Sequence, residues 1–153
     1  MHVVAVGHSV GGSGVLALAH AWDDPPERPP PGLRAVVNFA GGHGSIGSHD
    51  VCQPERLVVA FGAFGAHATV PSLWLYAADD SYFWPDLARQ MHAAYAQGNP
   101  RAELRFEPPH PLWPGHSYIF GAIVPCALPV CYGADAVWPP QVFDFLRRAG
   151  VQR

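Results

Sequence analysis

Residues 2–22, HVVAVGHSVGGSGVLALAHAW, constrain the fold more than any other stretch of the chain. An apolar run, HVVAV, passes into the helix-forming run that starts at residue 10 with only GHS between them. The apolar residues of 2–6 do not alternate with polar ones, as expected of a strand covered on both faces in a parallel sheet. A strand that turns directly into a helix needs small residues at the turn, because larger side chains collide where the two elements meet. GHSVGG, 7–12, places glycines at 7, 11 and 12 around Ser9.

The same alternation continues downstream. Residues 10–22 read as an Ala- and Leu-rich helix, ended by a proline-rich loop over 24–32, where proline fixes φ and removes a backbone donor. RAVVNFAGG, 34–42, reads as a second strand running into glycines, and 53–65 as a helix weakened by its two glycines. SLWLYAADD, 72–80, is a third strand ending in two acids. PDLARQMHAAYAQG, 85–98, is a helix with proline in its first turn and Gly98 at its end. RAELRFEPP, 101–109, alternates like a strand with one wetter face. PQVFDFLRRAG, 140–150, is an amphipathic helix with Arg147 and Arg148 in its last turn, where the helix dipole favours cations. The stretch 121–138 is apolar enough for a partly buried insert, but its prolines oppose a regular element. This order predicts an α/β fold with about four mostly parallel strands and flanking helices.

Composition narrows the function classes. The chain is 49% hydrophobic and 14% charged, so it can build a packed core, and 153 residues suit one domain. A net charge of −3 argues against a nucleic-acid footprint, which needs a clustered basic surface. No apolar run reaches the length of a membrane span, and MHVVAVG lacks the basic start and long apolar core of a signal peptide, which leaves the compartment open. Cys52, Cys126 and Cys131 form no CxxC pair, so a zinc ribbon or thioredoxin-type site is disfavoured; a Cys126–Cys131 bridge is not settled by spacing. His43, His49 and Asp50 in GGHGSIGSHD match no metal spacing and read as a polar, glycine-rich loop at the end of the second strand. The expectation is therefore no metal and no organic cofactor.

The chemistry-bearing residues follow from G-x-S-x-G. Ser9 sits where a strained strand-to-helix turn exposes a nucleophile, and the N–H of Val10, at the helix start, points toward a developing oxyanion. A serine needs a base, and the base needs an orienting acid. Asp79 and Asp80 compete for the acid; Asp80, farther from the strand end, is preferred over Asp79. His116 in PGHSYIF is preferred as base over His110, which lies between prolines. His8 is expected to pack near the site, His20 and His92 to lie on helices, and His2 and His67 to be surface or strand-end residues. Tyr82, Phe83 and Trp84 either shape a pocket or simply pack.

VVAVGHSVG (3–11) with Gly12, VVNFAGG (36–42), CQPERL (52–57), LWLYAADDSYFWPDLARQMHAAY (73–95) and GHSYIF (115–120) together resemble the α/β-hydrolase superfamily, in its dienelactone-hydrolase-like branch. The resemblance runs to about residue 120 and returns in the last helix. It implies Ser9, Asp80 and His116 in the nucleophile, acid and base positions. Dienelactone hydrolases proper use cysteine as nucleophile, so Ser9 implies an esterase-like or peptidase-like enzyme, acting on a small ester-like substrate.

In that superfamily about half the fold precedes the turn bearing the nucleophile, whereas eight residues precede Ser9. The expectation is a single partial domain, residues 1–153, equivalent to the C-terminal half of the fold, with a small complete protein as the competing possibility. The earlier strands and the loop carrying a second oxyanion donor would be missing. Strand 2–6 would then form an edge open to self-association, and a non-catalytic fragment acting as an interaction module is the alternative reading.

Overall fold

The apolar segments become the strands of one parallel sheet. The protein is represented by a computed structural model that describes residues 2–20, 22–23, 26–27, 29–109, 115–119 and 138–151. Its elements are β1 (Val3–His8), α1 (Val10–Leu18), β2 (Trp22–Asp23), β3 (Pro26–Glu27), β4 (Leu33–Phe39), β5 (Ser45–Gly47), β6 (Asp50–Val51), α2 (Pro54–Ala66), β7 (Ser72–Ala77), α3 (Pro85–Gly98), β8 (Ala102–Glu107), a 3₁₀ turn (Gly115–Ser117) and α4 (Trp138–Arg148). The main sheet runs β1-β4-β7-β8. Every pairing in it is parallel, with Val6 opposite Val37, Asn38 opposite Trp74 and Tyr76 opposite Phe106.

Strand periodicity sorts side chains to two faces. Val36, Trp74 and Tyr76 join a core built with Leu16 of α1, Phe61 of α2, and Met91 and Tyr95 of α3. Ala35, Val37, Phe39, Leu73, Leu75 and Ala77 join the opposite core, which α4 closes with Phe145 and Leu146, and Tyr118 and Ile119 complete. β4 and β7 are buried almost throughout, which explains their continuous apolar sequence. On β8, Ala102, Leu104 and Phe106 face the first core, while Glu103 accepts from Arg148 of α4 at 2.8 Å.

Several boundaries differ from the sequence expectation, each for a local reason. α1 stops at Leu18, short of residue 22. The Ala19 carbonyl is taken by the backbone N–H and hydroxyl of Thr69, at 3.0 and 3.2 Å, and His20 pairs with Ala68. His20 therefore lies beyond the helix, its Nδ1 donating to the Phe64 carbonyl at 3.0 Å. The proline-rich connector holds a short antiparallel pair, β2 with β3, where a plain loop was expected. β4 ends at Phe39 because Ala40 turns to φ 47°. The expected loop around His43–Asp50 folds into the β5–β6 hairpin. α4 begins at Trp138, with two prolines following it in the first turn, where a missing N–H costs nothing. Residues 121–137 of the expected insert, His110, Cys126 and Cys131 lie outside the described residues; Cys52 is exposed.

The two glycines expected to weaken α2 have different surroundings. A Cβ at Gly65 would lie 2.6 Å from the Tyr95 Cα, so α2 and α3 approach at a point that excludes a side chain. A Cβ at Gly62 would make ordinary contact with the Ala94 Cβ at 3.5 Å. Gly62→Ala should therefore raise stability by up to about 1 kcal/mol through helix propensity. Gly65→Ala should lower it by about 1–3 kcal/mol through overpacking. Urea unfolding midpoints at constant m-value check both.

Glu107, the last residue of β8, is 2% exposed. Burial raises its pKa above the ordinary 4.5, partly offset by the nearby Gln141 side chain. A raised carboxyl pKa means that the folded state holds the proton more tightly than the unfolded chain. The associated stability is present below pH 4.5 and is lost as pH rises through the folded-state value. Glu107→Gln should remove this loss, so the variant gains on the parent protein as pH rises above 4.5. Thermal melts across about pH 4–7 should show that divergence; parallel melting curves would contradict it.

Candidate active site

Three strand ends and one loop converge at the carboxyl edge of the sheet, where open α/β sheets place their ligands. Ser9 follows β1 directly, at φ 56° and ψ −124°, a conformation L-residues avoid. The turn is possible because Gly7 and Gly12, on either side of it, carry no side chain. A Cβ at Gly7 would collide with the Gly11 carbonyl, and one at Gly12 would lie 2.7 Å from the Gly41 Cα. Those contacts press the start of α1 against the exit of β4. The Ser9 carbonyl accepts from Gly12 N–H at 2.9 Å and from Gly42 N–H at 3.3 Å, tying both strand exits together.

Asp80 follows β7 beyond a two-residue turn and is 1% exposed. Its Oδ1 accepts from the backbone N–H groups of Tyr82 and Phe83, at 2.8 and 3.1 Å. Those bonds leave Oδ2 for His116, whose Nδ1 lies 3.0 Å away. A carboxylate only accepts, so His116 Nδ1 carries the hydrogen. Its Nε2 is then free to accept from the Ser9 hydroxyl, 2.9 Å distant. Ser9, His116 and Asp80 thus form one continuous chain of hydrogen bonds. Asp79, the competing acid, is exposed at the turn.

His116 sits in the 3₁₀ turn after Gly115, which adopts φ 59° beside the Asp79 carbonyl. Three rings surround its imidazole: His8 at 4.8 Å, Tyr82 at 5.0 Å and Phe83 at 5.5 Å between centroids. Phe83 is buried over Gly42 and Tyr82 is 45% exposed, so Phe83 packs and Tyr82 borders open space. Trp84 stacks on His49 of the β5–β6 hairpin, and the His49 N–H donates to the Ser81 carbonyl at 2.6 Å. Val10 is the first residue of α1, and its N–H precedes the bonds the helix can make internally. Among the described residues, His43, His49 and Asp50 form no cluster able to hold a metal. His2 and His67 are exposed, and His92 lies on α3, half-buried against Trp74, where burial lowers its pKa.

Sequence reasoning missed a brace under the site. Asn38 and Tyr76 are fully buried on β4 and β7. The Tyr76 hydroxyl donates to the Gly41 carbonyl at 2.6 Å and accepts from Asn38 Nδ2 at 3.4 Å. Burial pushes the Tyr76 pKa far up, keeping the hydroxyl a donor. The available signal was a polar residue inside each apolar run, VVNFA and WLYAA. A cavity of about 530 Å³ lined by Arg34, Pro71 and Arg101 lies at the opposite edge of the sheet, away from Ser9.

No protein-family model matches the chain, and no curated protein sequence matches it significantly. Solved structures do. A Klebsiella pneumoniae protein named as a dienelactone hydrolase matches at TM-score 0.53 and 20% identity, over 94% of this chain and 51% of its own. An esterase from Pyrococcus furiosus matches at TM-score 0.59 and 13% identity, over 96% and 53%. Thermogutta terrifontis esterase 2, in a form phosphoramylated by tabun, matches at TM-score 0.53 and 16% identity, over 97% and 55%. The chain therefore spans about half the length of the structures it resembles, and its fold is that part of a dienelactone-hydrolase-like α/β-hydrolase.

Proposed function

We propose that the chain is a serine hydrolase of ester or related acyl bonds, its 153 residues forming one partial domain equivalent to the C-terminal half of the fold. The observation that carries the reading is the uninterrupted relay from Ser9 Oγ through His116 to Asp80, with links of 2.9 and 3.0 Å. Ser9 Oγ attacks the substrate carbonyl as His116 Nε2 takes its proton. The Val10 N–H donates to the tetrahedral oxyanion. The intermediate collapses, His116 returns the proton to the leaving alkoxide, and an acyl group remains on Ser9. Water, deprotonated by His116, then releases the acid and restores the serine. Asp80 holds the imidazole in the Nδ1–H form and stabilises its charged state.

A second reading is a non-catalytic fragment that self-associates through β1. In its favour, β1 lies at the margin of the described sheet with Val6 57% exposed. A fluorophosphonate probe separates the two, and the organophosphorus adduct of the Thermogutta esterase makes the reagent class a fitting one. Soluble, folded protein should label, and Ser9→Ala should abolish the signal. Failure of the parent protein to label favours the fragment reading, which then requires a concentration-dependent rise in sedimentation coefficient.

Asp80→Asn tests the relay. With Oδ1 retained by the two backbone donors, the new amide would face His116 Nδ1 and favour the wrong tautomer. Labelling should fall by about 10³–10⁴-fold with folding intact by circular dichroism.

A further inference from the structure

His8 occupies the x position of G-x-S-x-G, where side chains are free to vary as far as the turn itself is concerned. Its Nε2 lies 2.8 Å from the main-chain carbonyl of His116. A carbonyl only accepts, so His8 Nε2 carries the hydrogen and donates it. The adjacent residue, Ser9, meets the ring of the same His116 at 2.9 Å. One dipeptide thus holds both the backbone and the imidazole of a residue 108 positions away from His8.

We propose that His8 is a positioning residue: its Nε2–H clamps the His116 carbonyl and so fixes the distance and angle between that imidazole and both Ser9 and Asp80. This rests on the reading of Ser9 and His116 as nucleophile and base. The 3₁₀ turn that carries His116 spans three residues and includes Gly115 at φ 59°, so little regular structure restrains it. Its other ties among the described residues include the bonds to Asp80 and Ser9, the Tyr82 and Phe83 rings against the imidazole, and the burial of Tyr118 and Ile119 in the second core. A hydrogen bond to the main chain restrains the turn without competing for either ring nitrogen. Burial lowers the His8 pKa, and the neighbouring His116 lowers it further, opposed by the bond to the His116 carbonyl and by Asp80. A neutral His8 avoids adding a second cation 4.8 Å from the imidazole that is protonated during turnover. Displacing a reacting group by about 1 Å costs roughly 10²-fold in rate, which sets the scale of the expected effect.

The test compares His8→Phe, which keeps a ring and loses the donor, with His8→Gln, which offers an amide donor. Fluorophosphonate inactivation of the full chain is resolved into probe affinity and the first-order step. His8→Phe should slow that step by about 10–100-fold with affinity within about twofold, and His8→Gln should recover most of the loss. Long-range ¹H–¹⁵N spectra of His116 supply a readout independent of labelling. The parent protein and His8→Gln should show the Nδ1–H tautomer, and His8→Phe a mixture with the Nε2–H form. Equal inactivation rates, or His8→Gln as impaired as His8→Phe, would overturn the clamp. If the parent protein does not label, the hydrolase reading fails and the spectra alone decide: an unchanged His116 tautomer in His8→Phe overturns the clamp, and a mixed one supports it.

Discussion

Three backbone hydrogen bonds set the level at which the strands end. The N–H of Ser9 donates to the Phe39 carbonyl at 2.9 Å, that of Ala40 to Leu75 at 2.8 Å, and that of Ala78 to Glu107 at 2.8 Å. Each is made by the first residue beyond one strand to the last or near-last residue of the next. The ladder therefore continues one step past β1, β4 and β7 before the loops diverge. Ser9, the Gly41–Gly42 turn and the Asp80 turn leave from one common edge because of this. Without it, side chains from loops 36 and 107 residues apart in sequence would not meet at His116 within hydrogen-bonding distance.

The packing on either side of the sheet serves the same edge. α1 can begin immediately after Ser9 because glycines let it press on the β4 exit, and Asn38 and Tyr76 secure that exit from below. α4 covers the other face and is tied to β8 by Arg148 and Glu103. Tyr118 and Ile119 anchor the chain just beyond His116 in that second core. Apolar burial supplies most of the cohesion, while a small number of polar contacts decide where the loops point.

Much of this was legible in the sequence. β4 and β7 are apolar on both faces, so their runs could not be mistaken for surface segments, and α3 was bounded correctly by Pro85 and Gly98. Ser9, Asp80 and His116 were nominated by motif and order, and they are the three residues that hydrogen-bond to one another. Boundaries were read less well where tertiary contacts decide them. Nothing local says that Thr69 will occupy the Ala19 carbonyl and end α1. The glycines of α2 looked like weakness because propensity cannot see the backbone of Tyr95. The His8 bond to His116 depends on a pairing across 108 residues, which no local pattern encodes.

Ser9, Ala40, His49 and Gln53 all adopt positive φ without being glycine. Ser9 and Ala40 are strand exits at the carboxyl edge, and His49 belongs to the hairpin that borders it. The backbone is thus least at ease where the candidate chemistry is assembled, while the middle of the sheet is unstrained and buried. Strain of this kind persists only while the surrounding contacts outweigh it. The site end, with its strained exits at Ser9 and Ala40, therefore gains by relaxing when those contacts weaken. Amide exchange would spread inward from it toward β4 and β7 as the protein is warmed, with the relay dispersing before the sheet does.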